Sequence, residues 1–223
     1  MTTYPFMQVD AFTAQPLSGN ACAVVFEADS LDDVTRLAIA REMNLSETAF
    51  VVRSKLADFG ARYFTPAAEI PLAGHPTIAT IYALIDSGRL KLTGELTSVS
   101  LELLVGPIRI DIQSEAGKVR QIIMSQKKPE FLRRYTAQEV LPVFGLAAED
   151  VLPNVPIQSV STGTPQLMIP VRGLEVLRRI ALDIPAYTAL RSQGDFFTAH
   201  LFSLEGVSAD TQTFARDLYY HRT

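Results

Sequence analysis

The first apolar runs of the chain, Phe6–Thr13 and Ala21–Glu27, are short and rich in Val, Phe and Ala, and read as strands. Pro16, Gly19 and Asn20 punctuate the link between them. Ser30 followed by Asp33 resembles a capping box with Asp in place of Glu, and Leu31, Val34, Leu37, Ala38 and Met43 then fall near one helical face. Asn44 suits the end of that helix. Ser46–Arg53 and Phe59–Thr65 read as a second strand pair, with Asp58 and Gly60 close to the turn. After the loop PAAEIPLAGHP the pattern changes. Ile78, Ala79, Ile81, Tyr82, Ala83, Leu84 and Ile85 leave almost no polar face, which predicts a helix over 76–87 that is buried on all sides. Pro76 suits its first position and Gly88 its stop. Among strands, such a helix implies a sheet wrapped around it.

Thr97–Leu104, Pro107–Gln113 and Lys118–Ser125 follow as strands, with Gly106 and Gly117 near their turns. The polar, proline-bearing QKKPEFLRRY marks a domain boundary, giving one lobe over 1–126 and a second over 127–223. In the second lobe the pattern predicts a short helix over Ala137–Phe144, strands over Ile157–Thr162 and Gln166–Val171, and helical patches at Leu174–Ile180 and Tyr187–Arg191. Strands over Phe196–Leu204 and Thr211–Leu218 complete it. The spacing echoes the first half, but no second apolar helix is found. The expected class is therefore α+β, with two similar lobes.

Composition narrows the function. With 20% charged and 48% hydrophobic residues, the chain is that of a globular protein. A net charge of −4, with no basic run beyond Lys127–Lys128 or Arg133–Arg134, argues against nucleic acid as a partner. A single Cys22 can form neither an internal disulfide nor a cysteine metal cluster. The N-terminus lacks a signal-peptide pattern, and no apolar run of about 18 residues is present, so the expected home is the cytoplasm, away from membranes.

Three constellations could carry chemistry. Glu47, in MNLSETAF beside Asn44 and Ser46, starts a strand among apolar Leu45, Ala49 and Phe50. Partial burial raises a carboxyl pKa and suits it to acid/base work near neutrality; a surface Glu just after a helix end is the plainer alternative. Gly74–His75 precede the apolar helix, where backbone N–H groups bind carboxylates or phosphates and His can donate or shuttle a proton. A capping or core histidine fits the same spacing. Ser161–Thr162–Gly163–Thr164 could form a second anion-binding turn, or an ordinary hairpin turn. Asp10 and Gly19–Asn20 read as turn residues. Nucleotide-loop, zinc-protease and nucleophile-elbow motifs are absent, His75, His200 and His221 are too far apart for a local metal motif, and nothing demands a cofactor.

The stretches VDAFTAQPLSGNACAVVF, AREMNLSETAFV, RYFTPAAEIPLAGHPTIAT and, more weakly, VSTGTPQLMIPV together resemble the PhzF-like isomerase family of phenazine biosynthesis, in the family's order. The resemblance implies a diaminopimelate-epimerase-like fold. Each lobe wraps a strongly curved sheet around a central helix, with the active site between the lobes. It implies cofactor-free, metal-free chemistry in which Glu47 moves a proton on a small carboxylate substrate. Ser46, Gly74 and His75, with Thr162 and Gly163 in the weaker block, then contact the substrate, and the protein forms a homodimer.

Departures accompany the match. Ala21 stands where the family usually has Pro, and Ala73 where related two-base racemases carry a cysteine. The acidic EDPxTGSA-like block expected to lead into a second central helix is not reached before FARDLYYHRT. The resemblance therefore implies an incomplete second lobe without its Asp and Ser substrate contacts. That motivates a rival reading, a non-catalytic small-ligand-binding or partner-completed protein. A two-base epimerase is a third, and lacks its thiol at Ala73.

Overall fold

The computed structural model describes residues 2–207 and 211–218, which form two compact units, Met1–Gln126 and Lys127–Thr223. The first is built on an eight-stranded sheet in the order β1 (Phe6–Ala11), β2 (Asn20–Val25), β3 (Glu47–Val52), β4 (Phe59–Phe64), β6 (Leu96–Leu103), β7 (Gly106–Glu115), β8 (Lys118–Met124). The two-residue β5 (Glu69–Ile70) lies off this path on β4. Pairing is antiparallel except β2–β3 and β4–β6, which are parallel.

The β2–β3 crossover is α1 (Asp33–Met43), and α2 (Gly74–Asp86) follows β5. Val25, Phe50 and Phe64 pack with Ala40 of α1. Strand alternation therefore turns Glu47, Ala49 and Tyr63 to the opposite face, where α2 lies. That helix packs on β1, β2, β3 and β8, so both ends of the sheet path reach it and the sheet curls around it. Ala79, Ile81, Ala83 and Leu84 are buried there.

Four expectations need correction. The helix α2 is not buried on all sides, since Tyr82 is 43% exposed; the sheet covers an arc of the helix rather than its full circumference. It also starts earlier than 76, at Gly74, which puts Pro76 deeper in the first turn, where a missing N–H still costs nothing. The cap of α1 is Asp32, whose Oδ1 accepts from Thr35 N at 2.8 Å, while Ser30 sits in a 3₁₀ turn and its hydroxyl pairs with Tyr4. Asn44 does end α1, in the left-handed conformation. Lastly, the sequence reading placed no strand in QKKPEFLRRY, whereas Glu130–Tyr135 form one, β9, paired with the second sheet.

The second unit holds a five-stranded sheet in the order β13 (Phe214–Leu218), β12 (Thr198–Ser203), β11 (Pro165–Val171), β10 (Ile157–Ser161), β9. Its helices are α3 (Ala137–Val140), α4 (Leu174–Arg178) and α5 (Ile184–Gln193). Antiparallel β10–β11, a helical crossover to parallel β12, and antiparallel β13 repeat the sense of β1–β2, α1, β3 and β4. Leu167, Ile169, Ala199 and Leu201 bury one face against Leu141, Phe144, Leu177 and Tyr187. The other face, with Val160, Met168, His200 and Phe202, lines a cavity of about 530 Å³, and no counterpart of α2 is found among the described residues. The long polar cluster here escaped the sequence reading: Asp195 accepts from Tyr135 Oη and Ser159 Oγ, each at 2.6 Å, and from Arg133 N at 3.1 Å. No helix among the described residues is long and apolar enough to cross a membrane.

Candidate active site

The chain passes from α1 to β3 through Asn44, Leu45 and Ser46, so the left-handed turn at Asn44 sets where β3 begins. Glu47 is the first residue of that strand, in parallel register with Cys22 of β2. Thr48, Ala49 and Phe50 behind it are fully buried, which anchors the strand and leaves the Glu47 side chain 20% exposed at its end. Ser46, next to it, is exposed.

From the other side comes the first turn of α2. His75 is 8% exposed, and its Nε2 lies 3.3 Å from Glu47 Oε2. Both atoms are buried, and neither makes a hydrogen bond. The approach is thus an electrostatic contact that a small rotation would close into a hydrogen bond. Burial pushes the His75 imidazole below its ordinary value of 6.5, and the Glu47 carboxylate and the Ala21 backbone pull it back only in part. The His75 ring beside Glu47 therefore favours its neutral form.

Gly74 opens the helix and is exposed. A Cβ built there meets nothing within 4 Å, and its backbone does not need the left-handed region. Neither packing nor conformation within the chain accounts for a glycine at this place. Gly19 is the opposite case: its Cβ would fall 2.4 Å from Ala11 O, so the β1–β2 turn requires glycine. Asp10 acts in the same turn, accepting from Leu17 N at 2.7 Å.

A sequence profile of phenazine biosynthesis-like proteins, PhzC-PhzF, matches residues 9–217. The chain belongs to the PhzC-PhzF family. Within that family it is 37% identical to the uncharacterised isomerase YddE of Escherichia coli K12 over 186 residues, covering 82% of this chain and 61% of that one. It is 33% identical over 189 residues to the trans-2,3-dihydro-3-hydroxyanthranilate isomerase of Pseudomonas aeruginosa, covering 83% of this chain and 62% of that one. The chain thus spans about three fifths of the length of these curated relatives. The crystal structure of a PhzF-family protein from Bacillus anthracis superposes with a TM-score of 0.83 at 31% identity, over 98% of this chain and 73% of that one. A probable proline racemase from Agrobacterium radiobacter K84 shares the fold, with a TM-score of 0.68 at 12% identity, over 98% and 71% of the two chains.

A two-base epimerase needs two thiols, and this PhzC-PhzF chain has a single cysteine, Cys22. It is fully buried, and burial first, with the Glu47 charge adding, pushes its thiol up to about 12 against the Ala49 backbone hydrogen bond. Ala73 is the N-cap of α2 and supplies no acid or base. Thr162 and Gly163 lie in the second unit, between β10 and β11, where Thr162 lines the cavity. The Gly163 N–H already donates to Ser161 Oγ at 3.2 Å, so it would have to exchange that bond to hold an anion. Among the described residues no group of three or more His, Cys, Asp or Glu could hold a metal ion, and His221 lies outside them.

The sequence reading missed one feature of this site. The Tyr63 hydroxyl of β4, fully buried, meets Thr77 Oγ1 at 3.0 Å, and Thr77 in turn donates to the Ala73 carbonyl at 2.8 Å. An apolar strand followed by an apolar helix gave no sign that these hydroxyls would meet.

Proposed function

We propose that the chain carries the proton-transfer site of an isomerase, with Glu47 as general acid/base and a small carboxylate-bearing molecule as substrate. The observation that carries this reading is the buried pair of unsatisfied atoms, Glu47 Oε2 and His75 Nε2, 3.3 Å apart at the start of α2. Buried polar atoms are ordinarily paired, and exceptions concentrate where a substrate supplies the partner.

In this mechanism the Glu47 carboxylate takes a proton from a carbon next to a double bond. The C–H bond breaks, an O–H bond forms on Glu47, and the double bond shifts by one position. That O–H, in exchange with solvent water, then gives a proton to another atom of the substrate. Protons and electrons balance within one molecule, so the step needs no oxidant or reductant. His75 Nε2 faces Glu47 and can exchange a proton with it, and the Gly74 N–H with the helix dipole favours a substrate carboxylate. A positioned acid/base of this kind contributes roughly a hundred- to ten-thousand-fold. The name of the P. aeruginosa relative supports a cyclic amino carboxylate as substrate class. Ser46, Thr162 and Gly163 are proposed as further substrate contacts, and a homodimer as the assembly.

The test is turnover of trans-2,3-dihydro-3-hydroxyanthranilate in D₂O, followed by NMR, for the wild-type chain and Glu47→Gln. The expected result is deuterium incorporation by the wild type and none by the variant, with unchanged thermal unfolding. Retained turnover in Glu47→Gln would remove it from the mechanism.

A second reading, a protein whose second unit is completed by a partner, is favoured by Phe131, 69% exposed at the rim of the apolar cavity. A monomer by sedimentation that also turns over substrate would exclude it.

A further inference from the structure

We infer that Tyr63 and Thr77 are positioning residues that aim the Gly74 N–H at the substrate carboxylate. The inference rests on the carboxylate-anchoring role proposed for Gly74 and His75.

A hydroxyl has one proton to give. Thr77 Oγ1 gives its proton to the Ala73 carbonyl at 2.8 Å, so the 3.0 Å contact between Tyr63 and Thr77 must be donated by the Tyr63 hydroxyl. The result is a directed chain from β4 to the helix cap, Tyr63 to Thr77 to Ala73. Burial holds the Tyr63 phenol above its ordinary range, so it remains a donor throughout the working pH range. Its ring is fully buried, as is Thr77, and the chain is shielded from competing water.

The far end of this chain is what gives it a role. Ala73 is the N-cap of α2, and its carbonyl shares a planar trans peptide with the Gly74 N–H. In such a unit the C=O and N–H point in opposite directions. A carbonyl held inward by the Thr77 hydroxyl therefore holds the Gly74 N–H outward, away from the helix body. Gly74 is exposed, with open space around its Cα. The next residue, His75, presents the buried, unpartnered Nε2. An N-terminal turn in which the Gly74 N–H is fixed from behind and faces open space is organised for an anion. The brace is made from the sheet, so it ties the aim of that N–H to the same β-scaffold that carries Glu47.

The test uses the ¹⁵N-labelled full chain, with benzoate as the carboxylate probe. The Gly74 and His75 amide signals are followed in wild type, Tyr63→Phe, Thr77→Val and Thr77→Ser. Thr77→Val keeps the side-chain volume, and Tyr63→Phe is the second variant should it fail to fold. The inference expects both to move the two amide signals and to weaken benzoate binding about three- to ten-fold, the net worth of one hydrogen bond, while Thr77→Ser binds like wild type. Signals near the C-terminal end of α2 should stay in place, which a merely structural loosening would not produce. Wild-type binding and unmoved Gly74 signals in both variants would overturn the brace alone. Absence of any benzoate response in the wild-type chain would overturn the carboxylate seat itself, and this inference with it.

Discussion

Glu47 Oε2 and His75 Nε2 face each other at 3.3 Å from two separate elements, one at the start of β3 and one in the first turn of α2. Each atom is buried and each lacks a hydrogen bond. Parallel pairing of β3 on β2 sets the height of Glu47 in the sheet, beside Cys22, and the packing of α2 against β1, β2 and β3 sets that of His75. The pair is thus a product of the curled sheet.

Gly74→Ala separates a role for the fold from a role for a ligand. Open space surrounds the missing Cβ, and Ala gains up to about 1 kcal/mol over Gly in a helix. The variant should unfold at an equal or higher temperature yet bind benzoate at least several-fold more weakly. Unchanged binding would mean that no ligand approaches Gly74.

His75 should make stability depend on pH. Its folded-state pKa lies below the ordinary 6.5, so the unfolded chain takes up the proton first. As pH falls through 6.5 the folded state loses stability, until His75 protonates in the fold as well; above 6.5 the ring is neutral in both states and contributes no slope. Urea unfolding at about pH 7.5 and about pH 5.5 checks this. The wild type should lose more stability between the two than His75→Asn, and equal losses would contradict the burial argument.

Asp195→Ala should weaken the second unit without touching Glu47 or His75. The substitution strips the acceptor from the buried Ser159 hydroxyl and from Tyr135 Oη, at a cost of about 1–3 kcal/mol. Hydrogen exchange resolved by segment should report faster opening of β9 and β10 and unchanged protection in α2.

Gly19→Ala should be the damaging glycine change. The new Cβ would sit 2.4 Å from a backbone oxygen and 2.5 Å from Thr13 Cγ2, so the β1–β2 turn must move. A loss of about 1–3 kcal/mol in chemical denaturation is expected, as for other overpacked sites. A neutral result would mean the turn yields without strain.

Much of the fold was legible because it depends on local pattern. The apolar run from Ile78 to Ile85 announced α2 and the sheet around it, and Asn44 announced the end of α1 by its ease in the left-handed region. Elsewhere local signals competed. Ser30 and Asp32 are both good caps, and the hydrogen bond to Thr35 N chose Asp32. In EFLRRY the charges of Glu130, Arg133 and Arg134 hid a strand that exists because β10 offers an edge to pair with.

By itself, the sequence determined the class of fold, the apolar helix α2, and the residue types at the candidate site: a carboxylate at a strand start, and glycine with histidine at a helix start. Its long matching blocks also determined the family. Only the tertiary structure decided that Glu47 meets His75, that their facing atoms lack hydrogen bonds, and that Tyr63 braces the Ala73 carbonyl through Thr77. The reason is physical. Periodicity records which side of an element is apolar, whereas a contact between elements depends on register, crossover and curl, and these emerge when the whole sheet closes on its helix.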